Sequence, residues 1–468
     1  MRAGARRLAP RTGRQWEILA VTAVCAVFYL LAAHDDLLET SNHAWLLLDC
    51  IRSGRFLDYY NVVMAHENTL YYLNNAHYNI LCYLIYAVWQ LPVYLVCRLG
   101  HIAVSETFLM FWSKAVGTAA FAGCAVVLGR IAAALGYSET DVHFIPLFFV
   151  LNPIAFFAAL IMSQYDTLCL LFLLLAVLAW LQKHYWRFSL LAGAALVFKF
   201  FPLLLFLPLL VLREKRPLRC LAHAAASLWL YLPTALLFRG RTGDMAVFNE
   251  EVIQRVFAAV LPGGIDPIPL FLLLYALLLM GCYLYRRDDD RTAAVMPWVG
   301  LTVYGLLFLF VGWHPQWLIL LVPFLVLTTF AQTQRAPWIY LDVVLFLGYW
   351  LTINFNFPGQ LEANLLRSGL LSGLCGGLAQ AHNTLAFYLQ LLPYGAALSP
   401  VLFAAPLAAA ILFKAPLAGG SPGDRLSGKA EPLARAPSLR QLLWGTFAVC
   451  IPGIWLGSAL FVLMKAGF

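Results

Sequence analysis

Three short polar stretches interrupt an otherwise apolar sequence, and their side chains are the ones that could do chemistry. They are HDDLLET at 34–40, SQYD at 163–166 and WHPQW at 313–317. Ionisable side chains at the ends of membrane helices are costly to bury, so they are candidates for a functional site. We therefore expect one polar site built from these stretches.

The first stretch supplies carboxylates. Asp35 and Asp36 follow the first apolar segment, where a carboxylate could act as a general base or bind a divalent cation. A hydrophilic end to the helix would explain them equally well. Glu39 lies one helical turn further on and could raise the pKa of either aspartate by like-charge repulsion, although a short acidic loop tip explains it equally well.

The second stretch leads into a long apolar run. Asp166 is expected to cap the start of that helix, because an Asp side chain accepts backbone N–H bonds there. The same helix start would attract a phosphate or carboxylate. Gln164 and Tyr165 beside it could hydrogen-bond the hydroxyl groups of a sugar.

The remaining candidate site residues are a lysine and two residues of a His-Pro-Gln sequence. Lys199 lies at a Lys-Phe-Phe-Pro break between two short apolar runs, where its ammonium could snorkel to the interface or bind a lipid phosphate. His314 and Gln316 flank a proline between two apolar segments. His314 could contact a phosphate leaving group or assist a proton transfer.

The composition requires membrane helices to position these residues. Of 468 residues, 62% are hydrophobic and only 12% are charged, which excludes an ordinary soluble domain. Apolar stretches long enough to cross as helices recur from residue 17, so we predict an all-α polytopic membrane protein with about 12–13 membrane helices. The net charge of +8 lies mainly in loops and tails, reports orientation and indicates no nucleic-acid partner. The cysteines form no CxxC pair and are expected to pack as thiols.

Charge near the N-terminus sets the predicted orientation. Five arginines precede a first helix over 17–33 that lacks a cleavage site, so the N-terminus is expected in the cytoplasm and 34–36 outside. Residues 78–97 could lie along the outer interface or cross the membrane. The first alternative places SQYD outside with the acidic stretch, and the positive-inside rule favours it because Arg130 then lies inside.

The remaining chain is expected to continue in the same way. Membrane crossings are predicted over 143–162 and 218–238, two short helices meet at Lys199 and Pro202, and an outer loop covers 239–266. We expect a catalytic transmembrane module at 1–330, additional membrane helices at 331–413, a cytoplasmic linker at 414–440 and a last membrane helix at 441–468.

The order of these motifs resembles the GT-C superfamily of integral-membrane glycosyltransferases. The shared features are the acidic pair after the first helix, NP…SQYD before a leucine-rich helix, FKFFPLLLFLPLLVLREK, and HPQW before another such helix. The nearest likeness is to bacterial mannosyltransferase-like members, which take sugar from a polyprenyl-phosphate-linked donor. The chain lacks the His-Phe-Gln-Tyr-Asn block of dolichol-dependent glucosyltransferases and the large soluble C-terminal domain of oligosaccharyltransferases.

The resemblance implies a role for each candidate residue. Asp35 or Asp36 would be the catalytic base, and Asp166 a second acidic position. Asp36 and Asp166 would also hold a divalent cation, Mg²⁺ or Mn²⁺, if a metal is used. Lys199 and His314 would contact the donor phosphate, and 78–97 would match the outer-face interface helices of the first loop.

The expected activity is sugar transfer from a polyprenyl-phosphate donor to an extracytoplasmic glycan, lipid or protein acceptor, in a single inverting displacement. The expected location is the plasma or inner membrane, among membrane lipids. One alternative is a lipid or glycan transporter or flippase, which would normally carry paired charges near mid-membrane and internal repeats. Another is an envelope-polysaccharide polymerase, whose basic outer loop would match Arg239, Arg241 and Arg255.

Overall fold

The computed structural model describes residues 11–34, 36–65, 76, 78–239, 254–263, 266–357, 370, 385–416 and 437–465. Within these ranges the chain is helical apart from one two-stranded antiparallel ladder, β1 (Val260–Leu261) with β2 (Ile268–Pro269). The all-α prediction is confirmed. Asp35 lies outside the described residues, as do much of the predicted loop 239–266 and most of the predicted linker 414–440.

The helices follow one another with short connections. In chain order they are α1 (Arg11–Leu31), α2 (Asp36–Arg52), α3 (Tyr59–Ala65), α4 (Ile80–Gly100), α5 (Glu106–Ala134), α6 (Glu139–Val150), α7 (Pro153–Phe156, continued by a π-helical turn Phe157–Met162), α8 (Asp166–Leu181), α9 (Tyr185–Leu196), α10 (Phe201–Arg213), α11 (Pro217–Ser227), α12 (Tyr231–Leu237), α13 (Leu270–Leu284), α14 (Asp289–Phe310), α15 (Val322–Phe330, preceded by a 3₁₀ helix Pro315–Leu320), α16 (Ala336–Asn356), α17 (Leu385–Gln390), α18 (Gly395–Phe413), α19 (Leu439–Ala448, continued by a π-helical turn Val449–Leu456) and α20 (Gly457–Lys465).

Helix length and apolarity identify the membrane-crossing candidates. In the described ranges seven helices are long and apolar enough to cross a membrane, two bent helix pairs raise the count to nine, and four further apolar helices are shorter. The polytopic prediction is therefore confirmed. As predicted, two short helices, α9 and α10, meet around Lys199.

Two predicted membrane crossings are bent helix pairs, each of which is apolar enough to form one broken span. The segment 143–162 bends by 49° after α6, where the Asn152 side chain accepts the N–H groups of Ile154 and Ala155 and starts a new helix. The segment 218–238 bends by 53° between α11 and α12. There Pro233 has no N–H to donate to the carbonyl of Trp229, so the first helix cannot continue.

α1 and α5 are antiparallel neighbours. The buried Lys114 ammonium near the start of α5 donates to three carbonyls at the end of α1, those of Phe28, Tyr29 and Ala32, at 3.3, 2.8 and 2.5 Å. Carbonyls at a helix C-terminus lack enough backbone donors, although that of Phe28 also accepts from the Ala32 N–H at 3.3 Å, so the lysine caps the end of α1. The chain between α1 and α5 therefore leaves and rejoins the bundle at one end, which we call the Asp36 end.

α2 and α4 lie side by side and run in the same direction. The Gln90 amide of α4 donates to Ser41 of α2 at 3.1 Å, and eight residues further along both helices Arg98 donates to Asp49 at 2.6 Å. α2 starts at the Asp36 end, and α4 finishes there, just before Glu106 of α5. Both ends of the pair thus lie at one level. Although α4 is long enough to cross a membrane, this geometry supports the interface alternative for 78–97.

The last helices of the chain pack against the first. Glu17 of α1 pairs with His143 of α6 at 2.6 Å and with Arg440 of α19 at 2.6 Å. The Phe447 ring of α19 lies 6.3 Å from that of Phe28 and 5.1 Å from that of Phe156. One hydrophobic cluster runs through the described bundle from Val21 to Ala459, so these helices share a core.

α16 and α18 approach each other closely at Gly348, which gives a stability prediction. A Cβ added at Gly348 would overlap the backbone of Leu402 and Phe403. We expect Gly348→Ala to lower the free energy of unfolding by about 1–3 kcal/mol, the usual cost of overpacking. Gly445→Ala is the matched control, because a Cβ there meets nothing within 4 Å. Thermal unfolding in detergent checks both, and equal midpoints for the two variants would contradict the prediction.

Candidate active site

The three polar stretches meet at the Asp36 end of the bundle. Asp36 is the first residue of α2, Gln164 lies in the turn before α8, and Gln316 lies in the 3₁₀ helix before α15. The Gln316 amide donates to Oε1 of Gln164 at 2.9 Å, and the Gln164 amide in turn donates to Oδ2 of Asp36. Two amides in series therefore fix the orientation of one carboxylate. Gln164 and Asp36 are 128 positions apart in the sequence.

His34 holds the other side of the same carboxylate. Its Nδ1 lies 3.3 Å from Oδ1 of Asp36 and 3.2 Å from the Asp36 backbone nitrogen. A protonated His34 donates to the carboxylate, whereas a neutral one accepts from the backbone N–H. The Asp36 side chain is 45% exposed while that of His34 is 8% exposed, so the carboxylate is open on the side away from the histidine.

The charges around Asp36 keep it ionised. Burial tends to raise the pKa of Asp36, but the charge and hydrogen bond of His34, followed by the charges of His314 and Lys199, outweigh it. The pKa is thus lowered from its ordinary value. An ionised carboxylate that is exposed and held in one orientation can accept a proton from a hydroxyl group.

Glu39 does not act on Asp36 as the sequence suggested. Its Oε1 lies 3.5 Å from Nε2 of His43, whose Nδ1 is 3.1 Å from the hydroxyl of the buried Tyr59. The pKa of Asp36 is lowered and not raised, because the nearby positive groups dominate there, and Asp35, the other aspartate that Glu39 could affect, lies outside the described residues.

Lys199 lies in the short connection between α9 and α10, and its side chain is buried. Its ammonium lies 3.8 Å from Oδ1 of Asp166 and donates to the Tyr78 hydroxyl at 3.1 Å. It also lies over the rings of Tyr78, Tyr165 and Trp317, at 4.8, 5.0 and 5.2 Å from their centroids. Three aromatic faces and one carboxylate thus hold a buried cation.

Asp166 has a different role from the predicted helix cap. It is the first residue of α8, the N-cap position belongs to Tyr165, and the Tyr165 side chain makes no cap hydrogen bond. The cap prediction is therefore wrong. The buried Asp166 carboxylate faces Lys199 instead, and neither of its oxygens has a hydrogen-bond partner in the described part of the chain.

His314 precedes the 3₁₀ helix and faces the same space as Asp36. Its ring packs against Trp317 at 4.8 Å and Phe357 at 5.6 Å, and its charge acts on Asp36. Tyr78 and Trp317 were missed as site residues. The sequence around Tyr78 contains no motif that would identify it as a site residue. Trp317 resembles an ordinary interfacial tryptophan in the sequence, although it neighbours Gln316 and is buried.

Among the described residues, Asp36 and Asp166 do not form a site that fits the divalent cation considered above. Within the described ranges no three His, Cys, Asp or Glu side chains are grouped to hold a metal. Asp36 is held by Gln164, and the Lys199 ammonium lies 3.8 Å from Asp166. A divalent cation at Asp166 would face that ammonium at close range, and like charges repel.

Comparison with known proteins gives one likeness of interest. The chain is similar to ArnT. The crystal structure of ArnT from Cupriavidus metallidurans bound to undecaprenyl phosphate matches 97% of this chain and 78% of that chain, with a TM-score of 0.47 and 13% sequence identity. No protein-family model matches the chain, and no curated protein sequence is similar to it. An identity this low does not establish that ArnT and the chain share an activity.

Proposed function

We propose that the chain is a membrane glycosyltransferase of the GT-C type, which transfers a sugar from a polyprenyl-phosphate-linked donor to a glycan, lipid or protein acceptor. One observation carries the proposal. An ionised, exposed carboxylate, Asp36, is fixed by the Gln164 and Gln316 amides at the same end of the bundle as the buried cation Lys199. A base near a cation is what displacement of a phosphate leaving group requires.

In the proposed reaction Asp36 takes the proton of an acceptor hydroxyl. The hydroxyl oxygen attacks the anomeric carbon of the donor sugar, and the bond from that carbon to the phosphate oxygen breaks. Polyprenyl phosphate leaves with the bonding electron pair, and the configuration at the anomeric carbon is inverted. Lys199 and His314 offset the negative charge of the departing phosphate, so little acid assistance is needed.

The sequence pattern supports an extracytoplasmic site. Arginines before α1 favour a cytoplasmic N-terminus, which would put the Asp36 end outside the plasma or inner membrane. α2 and α4, lying side by side at that end, would be the interface helices of the first outer loop. Asp36, Gln164, Asp166, Lys199 and His314 all belong to the predicted module 1–330.

A transfer assay tests the proposal. Purified protein in proteoliposomes is supplied with radiolabelled polyprenyl-phosphate sugars and candidate acceptors, and the product is separated from the donor. We expect donor-dependent transfer with inversion at the anomeric carbon. Movement of the labelled lipid across the bilayer without transfer would identify a transporter instead, and products that grow by many sugar units would identify a polymerase.

His34 gives a prediction for the pH dependence. Because the pKa of Asp36 is lowered chiefly through His34, the wild-type kcat/KM should stay high until the pH falls below the ordinary range of an aspartate. His34→Gln removes that charge, so the pKa of Asp36 rises and activity is lost at a higher pH. His43→Gln, whose side chain contacts Glu39, should leave the acid limb in place. Superimposable wild-type and His34→Gln profiles would contradict the prediction.

A further inference from the structure

A polar cavity lies at the end of the bundle opposite to Asp36. α8 runs away from the Asp36 end, so the turn 182–184 and residues 214–216 lie at what we call the opposite end. Between that turn, the start of α9 and α11 is a cavity of about 910 Å³. Its charged and histidine lining residues are Lys183, His184, Arg187, Glu214, Arg219 and His223. Asp36 and its partners are not among these residues, so the cavity is separate from the candidate active site.

The charge of this lining is mainly positive. Three of the side chains are permanent cations and only Glu214 is a carboxylate. Arg219 lies 3.7 Å from Glu214, and Lys183 is paired with Asp289 at 2.5 Å. Arg187 is exposed and forms no ion pair with the part of the chain that the structure describes. The cavity therefore presents a net positive charge with one uncommitted guanidinium, which suits an anion with several acceptor oxygens.

The helix starts at the opposite end add to this field. α9 and α11 both begin beside the cavity, and their N-cap residues, His184 and Arg216, make no side-chain cap hydrogen bond. The free N–H groups of a helix start carry partial positive charge. Both helices thus reinforce the attraction for an anion that the basic side chains already produce.

Exposed apolar side chains lie on the two helices that line the cavity. Trp186, Leu218 and Leu221 are 59, 82 and 67% exposed on α9 and α11. In a membrane helix such side chains face lipid chains, and tryptophan prefers the headgroup level. A soluble anion would make no favourable contact with these apolar side chains. A lipid with a charged headgroup and two acyl chains would contact both the basic lining and the apolar side chains.

We propose that this cavity binds the phosphate headgroup of an anionic phospholipid in the leaflet at the opposite end from Asp36. The guanidinium of Arg187, assisted by Arg219, contacts the phosphate oxygens, and the acyl chains lie along Trp186 and the leucines of α11. Basic pockets between membrane helices bind lipid headgroups by this combination of charge and apolar contact. The site is independent of the proposed sugar transfer.

Lipid binding to the purified full-length protein tests the proposal. Affinities in detergent are measured by native mass spectrometry for phosphatidylglycerol and phosphatidylcholine, with inorganic phosphate as competitor. We expect phosphatidylglycerol to bind the wild type and the Arg187→Gln/Arg219→Gln variant to bind it at least tenfold more weakly. Arg291→Gln is the matched control, because Arg291 is 67% exposed at the start of α14 and does not line the cavity.

Three results would overturn the proposal. They are equal affinity of the double variant for phosphatidylglycerol, equal binding of phosphatidylcholine by the wild type, and full displacement of the lipid by inorganic phosphate at the same concentration. The last would show that the site takes free phosphate. Arg187→Gln alone serves as a second variant should the double variant fail to fold, and it is expected to weaken binding in the same direction. Sugar transfer measured in parallel reports separately on the Asp36 end.

Discussion

Asp36→Asn is expected to lower the rate of sugar transfer by about 10²–10⁴-fold, the usual contribution of a general base. The amide has nearly the same shape as the carboxylate and can still accept from Gln164, but it cannot take up a proton at neutral pH. Initial rates with saturating labelled donor measure the effect. Because the change removes a step of the reaction and leaves the bundle intact, the thermal midpoint should stay near that of the wild type.

Two further variants make this result decisive. Asp58→Asn is the control, because Asp58 is an exposed carboxylate that pairs with Arg55 at 3.8 Å, and its loss should leave the rate unchanged. Asp35→Asn is measured beside it, because the sequence offers both aspartates as the base. Full activity of Asp36→Asn together with an inactive Asp35→Asn would transfer the role of base to Asp35 and refute our assignment.

Lys199→Met is expected to have the second large effect, on stability as well as activity. It would leave the buried Asp166 carboxylate without the cation 3.8 Å away. Breaking one partner of a buried ion pair typically costs about 3–5 kcal/mol, because the remaining charge is uncompensated. The double variant Lys199→Met/Asp166→Asn removes both charges, so we expect it to regain most of the lost stability.

The double variant also separates the structural role of Lys199 from its proposed role with the donor. If the ammonium contacts the donor phosphate, the double variant should fold yet keep a raised KM for the donor. Lys414→Met is the matched control, because Lys414 is another buried lysine, which donates to Thr329 at 2.6 Å outside the site. It should lose stability with an unchanged KM. If the folded double variant had the wild-type KM for the donor, Lys199 would have only a structural role.

Local sequence patterns predicted much of this arrangement but not its contacts. The helix break at Lys199 followed from the adjacent Pro202, and the polar stretches stood out against apolar runs. Asp166 was misjudged as a cap because the position of a helix start depends on a turn whose geometry the residue types leave open. The pairing of Asp166 with Lys199 and of Gln164 with Asp36 joins distant elements, so no periodicity could reveal it.

The position of 78–97 relative to the membrane depends on contacts between helices that are distant in sequence. Its apolar composition and length suit a membrane crossing, and Tyr and Trp within it suit an interface. The interface alternative is supported by Lys114, which ties the start of α5 to the end of α1, and by the parallel contacts of Ser41 and Asp49 with α4. Neither set of contacts can be predicted from the composition of residues 78–97.

The ion pair between Glu17 and Arg440 has a consequence for how the protein is made. These residues are separated by 423 positions, so α1 gains this contact only after α19 has been synthesised. Until α19 is inserted, the ring of Phe28 lacks its neighbour Phe447 and Glu17 lacks its guanidinium. Contacts of such long range form late during synthesis. Truncated chains that end before α19 should therefore remain incompletely assembled and be preferred substrates for membrane quality control.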